Sequence, residues 1–378
     1  MRISKLKLRN FKCFGDNETV INLNDLSAVI GANNSGKTAV LLSLQRLFGV
    51  DNRDREIRRA DFHVPKGDLP ENITTANLTI EAVLDFPELR NDDKVASHSV
   101  PKLFERMIVD SPNCDPYVRI RLEAKWQKSN YPEGNIESKM FFIITCEDDS
   151  NEEDEKNKIP VPTHIRSVIQ VLYVPAIREP SSQLKNASGT ILWRILKGIN
   201  WLDKDKEAIR ANLESVNNLL GEINAIKHIQ KIISTHWKSY HKDIRYSNAE
   251  IRFNSTELET ILKKLDVEFS PTEVTGSYSI EFLGEGLRSL FYFTLVNSLL
   301  EIEEHAMKEQ GKDKSLFNMF PPALTILAIE EPENHISPHI LGKVVNNLVS
   351  VSEKSNAQVI LTSHTPTLKN ISLDMQSQ

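Results

Sequence analysis

The sequence predicts an α/β fold with a mixed central sheet, and three of its segments support that prediction. An apolar strand at 26–30 leads into a glycine-rich turn and then into a helix, 39–48, with apolar residues every three or four positions. Two later apolar runs, 326–329 and 358–363, end in an acidic pair and in His364, with one predicted helix between them. Buried parallel strands have this continuous apolar character, and their carboxyl ends meet at one edge of the sheet. We therefore expect these polar residues to share an edge.

The glycine-rich turn, Gly31-Ala-Asn-Asn-Ser-Gly36-Lys37-Thr38, fits the phosphate-binding pattern G-x-x-x-x-G-K-[ST]. Glycines let backbone N–H groups point inward at phosphate oxygens, and the following helix adds the positive end of its dipole. Lys37 is predicted to reach the β- and γ-phosphates, and the Thr38 hydroxyl to ligate Mg²⁺. A chance glycine- and asparagine-rich turn is the alternative, but the strand, loop and helix stand in the required order. The predicted nucleotide-binding residues of this segment are Gly31, Asn33, Asn34, Ser35, Gly36, Lys37, Thr38 and Ala39.

The first acidic run, Glu330-Glu331-Pro-Glu333, follows the apolar segment that starts at Ile326. Glu330, at the strand end, is predicted to hold Mg²⁺ directly or through water. Glu331 is predicted to orient and polarise the attacking water, because phosphoryl transfer asks the protein mainly for positioning and charge neutralisation. An acidic turn that starts a helix is the alternative for this run taken alone.

Two further segments complete the catalytic hypothesis. Gly284-Glu-Gly286 opens a long apolar helix through Leu300, where free N–H groups and the helix dipole suit a γ-phosphate. An ordinary glycine turn before an amphipathic helix explains the same pattern. A parallel neighbouring strand would bring His364 to the same sheet edge as Glu331, where its imidazole could hydrogen-bond the γ-phosphate or the water.

Length and composition narrow the class of protein. The 378 residues exceed a single average domain, which favours one large domain with an insertion, or two domains. A net charge of −6 argues against nucleic-acid binding through the overall field, although it leaves room for a local basic surface. No apolar run approaches ~18 residues, and the first residues lack the apolar region of a signal peptide. The three cysteines lack metal-ligand spacing, so we expect a cytoplasmic protein with no structural zinc and no membrane segment.

Between the two ends, the pattern changes from strands to helices. Period-two patterns predict strands at 3–10 and 19–23 before the loop, an antiparallel sheet from 77–86, 118–126 and 140–146, a buried strand at 168–175 and a short one at 277–282. From about 189 to 265 the apolar residues recur at helical spacing, including Leu213, Val216, Leu219 and Ile232. We interpret this stretch as a helical insertion. Its apolar stripe is either intramolecular core or a dimer surface, and core is favoured because soluble helices normally carry one such stripe.

Charged segments are predicted to be solvated. The basic residues expected on exposed faces are Lys5, Lys7, Arg9 and Lys12 in the first strand, and Arg53, Arg55, Arg58 and Arg59 after the first helix. The second acidic run, 147–155, contains no apolar residue and is predicted to be an exposed, flexible loop. A nuclease metal there is disfavoured because no second strand converges on it.

Taken together, the order and identity of these motifs resemble the ABC-type P-loop ATPases of the SMC, RecF and OLD (overcoming lysogenization defect) group. The resemblance covers roughly 1–50 and 278–370, and it marks the matching segments as the opening strand motif (10–14), Walker A (31–38), signature (283–289), Walker B (330–331), D-loop (336–338) and switch histidine (364). Within that group OLD proteins fit best, on account of the Glu-Glu-Pro-Glu and Thr-Ser-His-Thr-Pro runs, Asp61-Phe62-His63, and Tyr173-Val-Pro-Ala176-Ile-Arg178. An SMC coiled coil would need hundreds of residues of heptads, and these are absent.

The resemblance implies an ATPase fold with an antiparallel β-subdomain: an N-terminal part at 1–188, the helical insertion at 189–265 as a candidate dimerisation element, and a C-terminal part at 266–378. It further implies a homodimer or higher homo-oligomer with head-to-tail ATPase heads, in which each phosphate loop faces the partner's signature across ATP and Mg²⁺. The residues expected to reach across are Gly284, Glu285, Gly286 and Arg288. Glu331, His364 and Lys37 are the implied catalytic residues of that shared site.

OLD proteins continue into a Toprim nuclease domain with its own acidic metal site, and we expect such a domain downstream of the residues seen here. The implied function is nucleotide-controlled DNA cleavage in anti-phage defence, as in Gabija nucleases, with DNA bound through that nuclease domain and with an accessory defence protein as a further partner. Two other functions remain open at this point: a stand-alone ATPase switch that controls a separate effector, and a RecF-like DNA-repair ATPase.

Two departures from the family pattern stand out. The signature lacks the usual serine, so the γ-phosphate contact would rely on backbone N–H groups and the helix dipole. No unambiguous Q-loop glutamine is present either. Arg178 is the candidate in its place, because Gln170 is predicted to lie in the middle of a strand.

Overall fold

The computed structural model describes residues 1–89, 103–110, 114–131, 133–147, 149, 151, 154–175, 191–240, 251, 258–265, 267–270, 278–309, 315–334 and 338–364. The chain divides into two compact units. The first unit comprises 1–178 and 321–378, and the second comprises 179–320. The phosphate loop, the Walker B acids and His364 all belong to the first unit.

A four-stranded parallel sheet forms one part of the first unit. Its strands are β3 (Leu26–Ile30), β8 (Ile169–Val174), β11 (Leu324–Glu330) and β12 (Ala357–Ser363), in the spatial order β3-β12-β11-β8. The seven residues of β11 and of β12 are all buried, which explains their unbroken apolar sequences. The predicted parallel pairing of the acidic strand with the histidine strand is therefore confirmed.

The six-stranded antiparallel sheet of the first unit has the order β2-β1-β4-β5-β6-β7. Its strands are β1 (Arg2–Arg9), β2 (Thr19–Asn22), β4 (Thr75–Asp85), β5 (Tyr117–Gln127), β6 (Asn135–Ile143) and β7 (Lys158–Pro160). The α/β fold class with an antiparallel β-subdomain is confirmed, and the described parallel and antiparallel strands belong to separate sheets.

Helix α1 (Lys37–Phe48) follows the phosphate loop and contacts β8, β11 and β12. Its buried face, which includes Leu41, Leu44 and Leu47, belongs to one apolar core that also contains residues of both sheets. Gln358 of β12 links the sheets by polar contacts: its side chain accepts a hydrogen bond from the N–H of Ile3 (2.9 Å) and donates to the Ile3 carbonyl (2.8 Å). Because Gln358 is fully buried, these bonds fix how the two sheets meet.

The described part of the first unit also contains two short helices, α2 (Asn52–Arg55) and α3 (Thr163–Arg166), and a longer one between β11 and β12 in sequence, α9 (Pro338–Ser352). Helix α9 contacts β12 and β3. It is the connection that allows β11 and β12 to run parallel as neighbours.

The prediction that the basic residues of β1 are solvated is wrong for Lys7, whose side chain is only 8% exposed. Its ammonium lies 3.0 Å from Glu147, and Lys5 also bonds that carboxylate. Glu147 is the first residue of the second acidic run, and its side chain is only 18% exposed, so the expectation of an exposed loop fails at this residue. Burial raises the pKa of Glu147, but the two lysines outweigh that effect and lower it below its usual value.

The second unit is helical in its described part. Its helices are α4 (191–197), α5 (Asp203–Glu222), α6 (Asn224–Tyr240), α7 (Leu258–Leu262) and α8 (Glu285–Glu309), and β9 (Glu268–Phe269) pairs with β10 (Tyr278–Ser279). Arg194 of α4 donates to Glu303 of α8 (2.7 Å), whose side chain is fully buried. The domain boundaries predicted at 188 and 265 remain predictions, because the division into units is made at different positions.

The apolar stripe of α5 and α6 is largely uncovered. Described apolar side chains at least 44% exposed are Val216, Leu219, Ile223, Ile229, Ile232, Ile233 and Trp237. Within α5 no residue is buried. The stripe is thus not core among the described residues, and the dimer-surface alternative stays a prediction.

Candidate active site

The carboxyl ends of the parallel strands bring the predicted catalytic segments to one edge. Ile30, the last residue of β3, pairs with Ser363, the last residue of β12, and Thr362 pairs with Glu330 of β11. The phosphate loop, Glu331 and His364 therefore follow directly after the last residues of β3, β11 and β12, respectively. These three strands are neighbours in the sheet. Backbone hydrogen bonds continue the ladder, since the N–H of Glu331 donates to Thr362 (2.9 Å).

Two residues of the phosphate loop, Asn34 and Gly36, have a left-handed backbone. Gly36 caps α1 with φ +94°, a conformation that side chains with a Cβ rarely adopt, and a Cβ built there would lie 2.7 Å from Cys13 Sγ. Asn34 also has a positive φ of 63°. Lys37 donates to the carbonyls of Gly31 (2.8 Å) and Ala32 (2.9 Å), so its ammonium is held across the loop. Thr38 is exposed beside it, whereas the Ala39 side chain is buried.

A buried carboxylate, Asp61, anchors α1 from behind. Arg46 of α1 donates to Asp61 Oδ2 (2.8 Å), the backbone N–H of Arg58 donates to the same oxygen (3.0 Å), and Lys12 lies 3.0 Å from Oδ1. Burial raises the Asp61 pKa, but the hydrogen bonds from Arg46, Arg58 and Lys12 outweigh it, and the net pKa is lowered. The neighbouring Phe62 pairs with Phe11 in a β-bridge. The Asn10–Phe14 turn and the Asp61–His63 segment are therefore one structural support of the phosphate-loop helix.

Glu330, the predicted metal ligand, is 9% exposed at the end of β11. The phenol of Tyr173 on β8 lies close enough to its carboxylate to interact with it electrostatically. Burial and the charge of Glu330 raise the Tyr173 pKa above its usual range, so the phenol keeps its proton. In the sequence, Tyr173 stands out only as part of a family motif. A phenol at the end of a buried strand beside an acidic one is the signal that could have identified this contact.

Glu331, the predicted water-orienting residue, has a left-handed backbone with φ 44°. This conformation is uncommon for a residue with a side chain and occurs often at functional turns. Asn334 donates to its Oε2 (2.8 Å), and its Oε1 lies 3.5 Å from Nδ1 of His364. The structure thus brings Glu331 and His364 together, while Asn334 was not anticipated.

The signature residues lie in the second unit, at the start of α8. Gly284 is exposed, and the N–H of Arg288 donates to its carbonyl (3.0 Å). The Arg288 side chain turns back to the carbonyl of Leu283 (2.6 Å), and Gly286 lies in the first turn. Glu285 begins α8, and its side chain lies outside the described residues.

The structure describes the predicted Q-loop and D-loop segments only in part. Arg178 and residues 336 and 337 of the D-loop lie outside the described residues. Gln170 is the second residue of β8, so it lies within the strand but near its start, and it donates to Thr325 (2.7 Å) in the interior. It is therefore not at the catalytic edge.

The donor set of the edge fits Mg²⁺. Thr38 and Glu330 offer a hydroxyl and a carboxylate oxygen, and Mg²⁺ prefers oxygen ligands, with one or two from the protein and the rest from phosphates and water. The described part of the chain contains no group of three or more histidine, cysteine or acidic side chains that could hold a metal by themselves.

Comparisons with known proteins show the family to which the chain belongs. Residues 1–368 match the family model described as an AAA ATPase domain. The chain is 22% identical over 374 residues to the OLD nuclease of Thermus scotoductus, covering 98% of this chain and 60% of that protein. It is 25% identical over 383 residues to endonuclease GajA of Bacillus cereus (97% and 56%), and 21% identical over 380 residues to the Old nuclease of Escherichia phage P2 (97% and 57%). The chain thus spans somewhat more than half the length of these relatives.

Among solved structures, the chain is similar to an SMC head bound to the C-terminal winged-helix domain of ScpA, with a TM-score of 0.46 and 15% identity over 98% of this chain and 92% of that one. A second SMC head, from Pyrococcus furiosus, has an extended coiled coil and gives the same TM-score and identity.

Proposed function

The chain belongs to the AAA ATPase domain family, and from that premise we propose that it hydrolyses MgATP at a site shared between two copies and thereby controls DNA cleavage by a nuclease domain. The contact between Glu331 and His364 beside the phosphate loop is the observation that carries the ATPase assignment. Membership in the family implies ATP hydrolysis. The shared site, the nuclease domain and the role in anti-phage defence are proposals.

Nucleotide binding is assigned to the phosphate loop and Glu330. Lys37 now bonds two carbonyls of its own loop, and a bound nucleotide would offer the ammonium β- and γ-phosphate oxygens instead. Thr38 and Glu330 would hold Mg²⁺, which neutralises phosphate charge when bound. The phenol of Tyr173, which lies beside Glu330, would help to orient that carboxylate.

Hydrolysis is assigned to Glu331 and His364. Glu331 is fixed by Asn334 on one oxygen and faces the imidazole with the other, so it can orient a water for attack on the γ-phosphate. His364, 40% exposed, can donate to the γ-phosphate from the same edge. Charge neutralisation and positioning are what phosphoryl transfer requires.

The ATPase assignment is tested by Glu331→Gln, which keeps the size and removes the charge. We expect nucleotide binding to remain within about threefold and steady-state ATPase to fall by about 100-fold or more. The matched control is Glu353→Gln. Glu353 is exposed directly after the end of α9, so this variant alters a carboxylate away from the catalytic edge of the parallel sheet. Unchanged turnover in Glu331→Gln would refute the assignment.

A second copy is proposed to complete the site with its signature, Gly284 to Arg288, and the exposed stripe of α5 and α6 is proposed as part of the contact between copies. The stripe supports this because a contiguous exposed apolar patch typically marks an interaction surface. The closed two-fold pairing of ATPase heads would give two equivalent sites per dimer.

Complementation tests the shared site. Lys37→Ala and Gly286→Asp are each expected to abolish ATPase, because one removes the phosphate contact and the other places a charge where a γ-phosphate would bind. Mixed in equal amounts after subunit exchange, they should recover about a quarter of wild-type activity, since half of the dimers are mixed and each has one intact site. No recovery despite mixed dimers would contradict a site shared in this way.

The nuclease role is proposed from the names of the relatives, two OLD nucleases and an endonuclease, of which this chain matches the ATPase portion. A Toprim domain, the accessory defence protein and the DNA substrate are carried over from the family resemblance. Sequencing the gene beyond Gln378 and measuring plasmid cleavage by the whole product, with and without ATP, tests this part. A product without nuclease activity under both conditions would leave the ATPase assignment standing and refute the nuclease role.

A further inference from the structure

The turn after β11 carries a third carboxylate, Glu333, whose contacts differ from those of Glu330 and Glu331. Its Oε1 accepts a hydrogen bond from the Ser363 hydroxyl (2.5 Å) and a longer one from the backbone N–H of His364 (3.3 Å). The same oxygen lies 3.6 Å from Nδ1 of His364. The side chain is only 9% exposed, so these contacts are made away from bulk water.

Ser363 extends this connection to the phosphate loop. Its side chain is fully buried at the end of β12, and its carbonyl accepts a hydrogen bond from the N–H of Gly31 (3.4 Å). The acidic turn, the end of β12 and the first residue of the phosphate loop are therefore joined through Glu333 and Ser363. Hydrogen bonds to a carboxylate are stronger than those between neutral groups, so Glu333 can hold Ser363 and His364 firmly in place.

We infer that Glu333 is a positioning residue for ATP hydrolysis, which holds the segment carrying His364 so that the imidazole stays beside Glu331. The inference rests on the proposed ATPase function. Glu333 acts through Ser363 and the His364 backbone, whereas Glu331 acts on the water. Glu331 and Glu333, in one short turn, therefore have different roles.

The geometry explains why these two acids are not interchangeable. The imidazole of His364 lies between Oε1 of Glu331 at 3.5 Å and Oε1 of Glu333 at 3.6 Å. Of the two oxygens, only that of Glu333 also accepts the backbone N–H of His364, so Glu333 restrains the chain as well as the ring. Reacting groups displaced by about 1 Å can lose on the order of 100-fold in rate, so this restraint matters for turnover.

The test compares Glu333→Ala, Glu333→Gln and Ser363→Ala by steady-state ATPase, by binding of a fluorescent ATP analogue and by thermal melting. Glu333→Ala should lower kcat on the order of 100-fold with KM and analogue binding within about threefold of wild type. Glu333→Gln keeps an oxygen acceptor for both donors and should retain activity within about tenfold of wild type. Ser363→Ala removes one of the two donors and should fall between them, and the Glu333→Ala/Ser363→Ala pair should lose less than the product of the single effects.

Three results would overturn the inference. A kcat for Glu333→Ala within about threefold of wild type would remove the positioning role. Glu333→Gln as inactive as Glu331→Gln would show that the charge itself does the chemistry, and independent effects of Glu333 and Ser363 would show that they do not act together. These outcomes are distinct from failure of the proposed function, in which the wild-type chain itself would lack ATPase activity, and that would overturn both.

Discussion

Replacing the buried Asp61 by alanine is expected to destabilise the first unit by about 3–5 kcal/mol, because removing one partner of a buried ion pair leaves the other charge uncompensated. Asp61 is 1% exposed, and Arg46, whose side chain is 9% exposed, would lose its carboxylate. Lys12 and the N–H of Arg58 would lose the same acceptor. For a domain of about 150–250 residues, 1 kcal/mol shifts Tm by about 2–4 °C, so the melting transition of this unit should fall by about 6–20 °C.

The matched control is Asp16→Ala. Asp16 is also paired with an arginine, Arg9, and that arginine lowers the pKa of Asp16 as well, but its side chain is 76% exposed. Solvent and salt screen such a pair, so no measurable change in Tm is expected. The assay is differential scanning calorimetry with the two variants and wild type in one buffer. A shift below about 2 °C for Asp61→Ala, or equal shifts for the two variants, would refute the reasoning.

The same carboxylate contributes to the loss of folding stability at acidic pH. The folded pKa of Asp61 lies below its unfolded value of 3.8, so the folded state holds fewer protons than the unfolded state in this range. Its contribution is therefore fully present above the unfolded pKa and is lost as the pH falls through the folded pKa. Asp61→Asn should flatten the decline of Tm at acidic pH relative to wild type.

Two further predictions concern contacts that the sequence did not reveal. Tyr173→Phe removes the phenol beside Glu330 and should raise the Mg²⁺ concentration needed for half-maximal ATPase by about 10-fold or more with little change in melting, measured by titrating Mg²⁺; an unaltered titration would contradict it. Gln358→Ala leaves the backbone groups of Ile3 unsatisfied in the core and should cost about 1–3 kcal/mol in urea unfolding, whereas an unchanged midpoint would show that the two sheets do not depend on it.

No helix in the described part of the chain combines the length and the apolarity needed to cross a bilayer. The resemblance to the OLD group that the motifs indicated is confirmed by the similarity to OLD nucleases and GajA over almost the whole chain. The roles assigned to individual residues remain predictions. They rest on where the structure places Lys37, Glu330, Glu331 and His364.

Sequence patterns do not predict which charged side chains are buried and paired in the folded protein. Lys7 alternates with other basic residues along β1, and that pattern is typical of a solvated face. In the structure Lys7 stands opposite Glu81 of β4, and Glu81 stands opposite Arg121 of β5. Lys7 also forms an ion pair with Glu147. Cross-strand partners come from distant parts of the chain, so their charges cannot be matched by local spacing alone.

The sequence by itself determined the parts of this protein that depend on local periodicity and turn chemistry. Continuous apolar runs identified β11 and β12, and the glycine and lysine spacing identified the phosphate loop, because these depend on neighbours only a few residues away. The tertiary structure alone decided which side chains support them. Tyr173 meets Glu330 and Glu333 meets Ser363 only because the parallel register aligns the ends of β8, β11 and β12, and that register is set by long-range packing of the whole sheet.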